Sequence, residues 1–220
     1  MKNILENKLK KDCVKVCFPT LHSCNLIFCY DYKEPNNHKT ISTGKPFGEF
    51  FYGISVIVDE FKKYESEKIK NDFDNIIKDL VVKSNNDNFI LKETIEYHKN
   101  RTFEFLENKC LNSDIPDIYM FIKNNFTEKR LWHNPYHPTG ILLNELIKLV
   151  FKKLDLIYIE NDENMVFLEN LLSDWVMPIF PCVKNYLDLK FDIDICSSWY
   201  HKNIYNNESY IKEYITKLYL

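Results

Sequence analysis

Apolar residues recur at three- and four-residue intervals through most of this chain, and at two-residue intervals in only a few short runs. From Phe47 to Tyr64 the set Phe50, Phe51, Ile54, Ile57, Val58 and Phe61 marks one face of a helix, because a helix turn takes about 3.6 residues. The same spacing predicts helices over Ile69–Val82, carrying Phe73, Ile76, Ile77 and Leu80, and over Phe89–Cys110 after the polar break Ser84–Asn88. Pro116–Asn125 predicts a shorter one. Thr139–Leu156 places Leu142, Leu143, Leu146, Ile147, Val150, Phe151 and Leu154 on one broad stripe and is expected to be a central buried helix. Ser209–Leu220 reads as a closing helix, or as the start of a linker in a longer chain.

Period-two patterning is sparser. Leu187–Ile195 alternates strictly and predicts a half-buried strand. Cys13–Phe18 and Asn25–Tyr30 predict two short strands, the first extended by the steric effect of Pro19. Between the second strand and the first helix, Asp31–Pro46 is a polar loop at the length limit that compact domains tolerate without function. The expectation is a mainly helical α+β protein with a small β-sheet, forming one domain over residues 1–220, with a further domain after Leu220 left open. No internal repeat is visible.

Composition narrows the function classes. Aromatics make up 15% of the 220 residues, against only four glycines and eight prolines, which excludes a disordered or linker-rich chain. Net charge is −3, so no broad basic field recruits a polyanion, and no nucleic acid partner is expected. Neither a signal-peptide core nor an apolar run long enough to span a bilayer occurs, so a cytoplasmic protein without a membrane partner is expected, in host cytoplasm if the source is a large DNA virus. Seven cysteines fit a reducing compartment. Four of them, Cys13, Cys17, Cys24 and Cys29, fall close together without a C-x-x-C pair, and Cys13 and Cys17 sit where buried thiols are common, so no metal is expected. The dinucleotide-binding, P-loop, zincin and G-x-S-x-G signatures are all absent.

Chemistry concentrates between Lys129 and Leu146. Pro135 and Pro138 restrict the backbone around His137, and Pro138 or Thr139 opens the following helix. A histidine at a helix N-terminus meets partial positive charge, which lowers its pKa and keeps a neutral ring able to accept a proton. The competing role is a plain helix cap. His133, four residues earlier, reads as a supporting group. Arg130 is one of only two arginines, with Arg101, so its planar fork is the more telling cation beside Lys129. Trp132 offers a stacking surface. Tyr30, Asp31 and Tyr52 border the long loop as candidate sugar contacts, against ordinary packing in a chain with 14 tyrosines. Glu93, Glu96 and Glu104 are expected to face water.

The stretch Arg130-Leu-Trp-His-Asn-Pro-Tyr-His-Pro-Thr139, with the leucine-rich helix after it, resembles the R-L-F, N-H-P-[ST] element of the WcbI family of capsular polysaccharide biosynthesis proteins. Asp114-Ile-Pro-Asp-Ile-Tyr-Met-Phe-Ile-Lys-Asn-Asn-Phe126 is similar to that family's D-I, F-I segment, and Cys17-Phe-Pro-Thr-Leu21 to its I-P-x-L strand end. The likeness spans about Cys13 to Leu156. It departs from the family at the N-terminus, where no G-N-C-Q segment occurs, and at Tyr136, which stands where the family has asparagine. The resemblance implies an acetyltransferase that moves an acetyl group from acetyl-CoA to an amino, or less readily a hydroxyl, group of a nucleotide-activated sugar. It implies His137 as general base, with His133 and Asn134 beside it, and Lys129, Arg130 and Thr139 toward the coenzyme. Backbone N–H groups at the Thr139 helix start, or the Asn134 amide, would meet the oxyanion. The alternative is a non-catalytic carbohydrate-binding or interaction domain. A hydrolase of acylated sugars is a third reading, without a serine motif to support it.

Overall fold

The computed structural model describes residues 13–23, 26, 55–173, 176–197 and 204–219. Mainly helical structure fills them. In chain order the elements are α1 (Ser55–Phe61), α2 (Ser66–Ser84), α3 (Lys92–Leu111), α4 (Ile118–Asn125), α5 (Gly140–Lys153), α6 (Asp162–Asn170), α7 (Pro181–Leu187), β1 (Cys196–Ser197), β2 (Ile204–Tyr205) and α8 (Asn207–Tyr219). Five of the predicted helices recur as α2, α3, α4, α5 and α8. Of the predicted Phe47–Tyr64 helix, the described part is α1, which ends at Phe61.

Helices pack in a chain of neighbours. α3 lies against α4 and α7, α4 against α5, and α5 against α6, while α8 covers α2 and the β1–β2 pair. Ile95, Leu106 and Cys110 of α3, Ile118 and Ile122 of α4, and Leu142 of α5 are fully buried in one apolar cluster that also takes Ile57, Leu80, Val183 and Ile215. Burying each large apolar side chain of this kind contributes roughly 1.5–3 kcal/mol. α5 is less enclosed than its stripe suggests: Leu142 and Leu146 are buried, but Leu143, Ile147, Val150 and Phe151 are only partly covered.

The strands depart most from expectation. As burial the alternation holds from Leu187 to Ile193, with Leu187, Leu189 and Ile193 inside, Phe191 partly covered and Asp188, Lys190 and Asp192 outside, but Ile195 is exposed and no ladder forms there. Leu187 ends α7, and Asp188 turns left-handed at φ 54°. Beyond it the backbone bonds to loops, with Lys190 N–H donating to the Thr127 carbonyl at 2.8 Å. Cys13–Phe18 likewise forms no strand, and Cys13 and Cys17 are exposed rather than buried. Among the described residues the only ladder is antiparallel, pairing Cys196 with Tyr205 and Ser197 with Ile204. The Asn25–Tyr30 strand and the Asp31–Pro46 loop lie outside the described residues, apart from buried Leu26. α6 and α7 are additions to the expected elements; α7 begins at Pro181, a residue suited to a first helical turn. No helix among the described residues is long and apolar enough to cross a membrane.

Candidate functional site

The corner between Arg130 and Gly140 folds back on itself. Thr139 N–H donates to the Leu131 carbonyl at 2.9 Å and His133 N–H to that of His137 at 2.9 Å, and Trp132 and Pro138 face each other in an isolated antiparallel bridge. Asn134 closes the turn, its Oδ1 accepting from the N–H groups of Tyr136 and His137 at 2.9 and 3.0 Å. Such an Asx turn gives buried polar groups local partners. From outside, Met177 N–H donates to the His133 carbonyl at 2.8 Å and Ser23 N–H to that of Pro135 at 2.9 Å.

Arg130 is a clamp. Its guanidinium donates to the carbonyls of Trp132, Ile195 and Met177, tying three separate segments together. Burial brings its pKa down to about 10, against the pull of Cys196 and Asp192. Three of the five guanidinium N–H groups are thus engaged with backbone, which leaves two for the coenzyme contact expected of it. Trp132 is 1% exposed and its Nε1 donates to the Leu21 carbonyl at 2.8 Å, so it is a core anchor and not a stacking surface. Thr139 is the α5 N-cap residue, but its hydroxyl bonds the Arg130 carbonyl at 3.0 Å instead of capping. With its N–H given to Leu131 and that of Gly140 given to the Glu169 carboxylate at 3.1 Å, neither of these donors is available to an oxyanion. Glu169 comes close because residue 140 is glycine: a Cβ there would lie 2.6 Å from the Glu169 nitrogen.

The histidines differ in access. His133 is 5% exposed, and burial, with Arg130 and His137 adding repulsion, holds its pKa down to about 4. His137 is only partly covered. Its pKa is also lowered, first by burial and further by His22, while a hydrogen bond with the Leu172 backbone pulls the other way. The shift has the expected direction, although burial rather than the helix terminus is its leading cause. His22, absent from the sequence expectations, sits edge-on to Tyr136 with ring centroids 5.3 Å apart. Nothing in sequence spacing links positions 22 and 136. Asn134 is fully buried, and its carbonyl oxygen is engaged in the turn. Two buried polar atoms of the corner, His133 Nε2 and Ser23 Oγ, have no hydrogen-bond partner among the described residues.

No protein-family model, curated protein or solved structure matches the chain.

The remaining candidates lie apart from this cluster or outside the described residues. Lys129 is exposed, its ammonium 5.9 Å from the centre of the Phe121 ring. Tyr30, Asp31 and Tyr52 fall outside the described residues. Glu93 and Glu104 face water, but Glu96 is partly covered and accepts a hydrogen bond from Tyr186 at 3.1 Å. Among the described residues no group of three or more His, Cys, Asp or Glu side chains could hold a metal ion. A cavity of about 290 Å³ opens elsewhere, between the start of α4 and the end of α5, lined by Asp114, Asp117, Lys152 and Lys153.

Proposed function

We propose that this chain is a WcbI-like sugar acetyltransferase of the cytoplasm, with His137 as general base. The observation that carries the reading is a partly exposed imidazole with a lowered pKa in a corner whose other polar side chains are mostly buried and tied to backbone. A rigid, neutral base is the equipment that acyl transfer to an amine or hydroxyl requires. The two unpartnered polar atoms, His133 Nε2 and Ser23 Oγ, add support, because such atoms are costly unless a ligand or solvent meets them.

Acetyl-CoA supplies the acetyl group as a thioester. His137 takes the proton from the acceptor nitrogen or oxygen as that atom bonds to the acetyl carbon, and the thiolate leaves. His133 and Asn134 position His137 through the 133–137 turn. Of the two cations expected toward the coenzyme, Lys129 is exposed and Arg130 is partly covered and bound to backbone, so phosphate recognition rests first on Lys129 and on further groups. That same observation favours the second reading, a non-catalytic carbohydrate-binding or interaction domain.

Incubation with acetyl-CoA and a panel of amino-sugar nucleotides separates the two. Thiol release with one acceptor supports the enzyme, and His137→Gln should then cut turnover by roughly 10²–10⁴-fold. Sugar binding without thiol release supports the binding domain.

A further inference from the structure

We propose that Glu169 is a positioning residue for His137, holding the end of α6 so that the Leu172 carbonyl selects which imidazole nitrogen carries the proton. This rests on the reading of His137 as the base. The first link is at the start of α5, where Gly140 N–H donates to Glu169 Oε2 at 3.1 Å. The approach needs glycine: a Cβ at residue 140 would lie 2.7 Å from the Glu169 Cα, and backbone cannot yield there as a flexible side chain would. Residue 140 therefore sets how near α6 comes. The second link lies just past α6, where Ser197 Oγ donates to the Ser173 carbonyl at 3.3 Å. Leu172 sits between the two. α6 has little other hold, since Leu168 is its one buried residue.

The hydrogen bond between His137 and the Leu172 backbone favours the protonated ring, which is the sense of an imidazole N–H donating to a carbonyl. A neutral imidazole has one N–H and one lone pair, and a carbonyl accepts only the N–H. The nitrogen that meets Leu172 therefore keeps its hydrogen, and the other holds the lone pair that a base needs. On the opposite side, the Asn134 side chain fixes the backbone of the same residue, accepting from His137 N–H at 3.0 Å. The ring is thus placed from the turn and from α6 together. Glu169 meets neither substrate nor imidazole and acts through the backbone from residue 169 to residue 172.

Imidazole nitrogen shifts of the full chain by NMR report the tautomer directly. They are taken at about pH 8, where the lowered pKa values keep His22, His133 and His137 all neutral and remove their mutual repulsion. His137 should show one tautomer in the native chain and a mixture of both in Glu169→Ala. Glu169→Gln, whose amide oxygen still accepts from Gly140 N–H, should keep the native pattern. Glu169 is exposed, so both variants should fold, which circular dichroism checks. With an acceptor that releases thiol, Glu169→Ala should lower kcat roughly 10–100-fold with little change in KM. A His137 tautomer unchanged in Glu169→Ala, or lost equally in Glu169→Gln, would overturn the proposal. The shifts need no turnover. A tautomer change in a chain that never releases thiol sinks the enzyme reading and keeps the hold of Glu169 on the ring, while thiol release with an unchanged tautomer does the reverse.

Discussion

Between Arg130 and Gly140 the backbone and side chains bond to one another and outward to Leu21, Ser23, Glu169, Met177 and Ile195, whereas between Ile157 and Glu160 four successive N–H groups meet no acceptor among the described residues. Both stretches lie outside helices and both border α5. The difference is one of engagement: the corner's backbone groups are met within the structure, and those of Ile157–Glu160 are not. Substitution should separate them sharply. Arg130→Ala strands the carbonyls of Trp132, Met177 and Ile195 and leaves a gap where the guanidinium sat, so it should cost about 3–5 kcal/mol in urea unfolding. Ile157→Lys should cost less than about 0.5 kcal/mol. Comparable losses at both positions would erase the distinction.

The corner is also where stability should respond to acid. His133 has a folded pKa of about 4 against an ordinary 6.5. Between those values the unfolded chain takes up a proton that the folded chain refuses. Stability contributed by the neutral ring is therefore complete above about pH 6.5, falls as pH drops toward 4, and levels off below. The full loss is about 3 kcal/mol. His22 and His137 shift in the same direction and steepen the fall. His133→Asn should flatten the difference in unfolding free energy between about pH 7 and pH 4, and an unchanged slope would show that the buried ring contributes nothing to it.

Helical periodicity makes α2, α3, α4, α5 and α8 legible, because burial of one face decides both the pattern and the element. Over Leu187–Ile195 the same logic misleads: alternation reports which side chains are inside, and says nothing about whether a neighbouring backbone is there to pair. In the corner, the rigid bend is legible from Pro135 and Pro138, while the lowered His137 pKa is anticipated in direction but traced to the wrong cause, since burial and not the helix start leads it. The engagement of Arg130 with Met177 and Ile195, and the approach of His22 to Tyr136, are not, since each joins residues distant in sequence. α6 escapes the pattern because Leu168 is its one buried residue, too little to leave a stripe.

The smallest effect should come from the turn that leads into Ile157–Glu160. Asp155 occupies the left-handed region at φ 55°, a conformation that costs an ordinary L-residue about 1–2 kcal/mol and glycine almost nothing. The bond from Leu156 N–H to the Phe151 carbonyl is the pattern in which helices commonly place glycine after their last turn. Asp155→Gly relieves that strain in the folded chain but adds freedom to the unfolded one, so the net gain should be a few tenths to about 1 kcal/mol. Thermal unfolding measures it. A loss instead of a gain would mean that the aspartate side chain itself holds the turn, and that the start of that segment is fixed by more than backbone geometry.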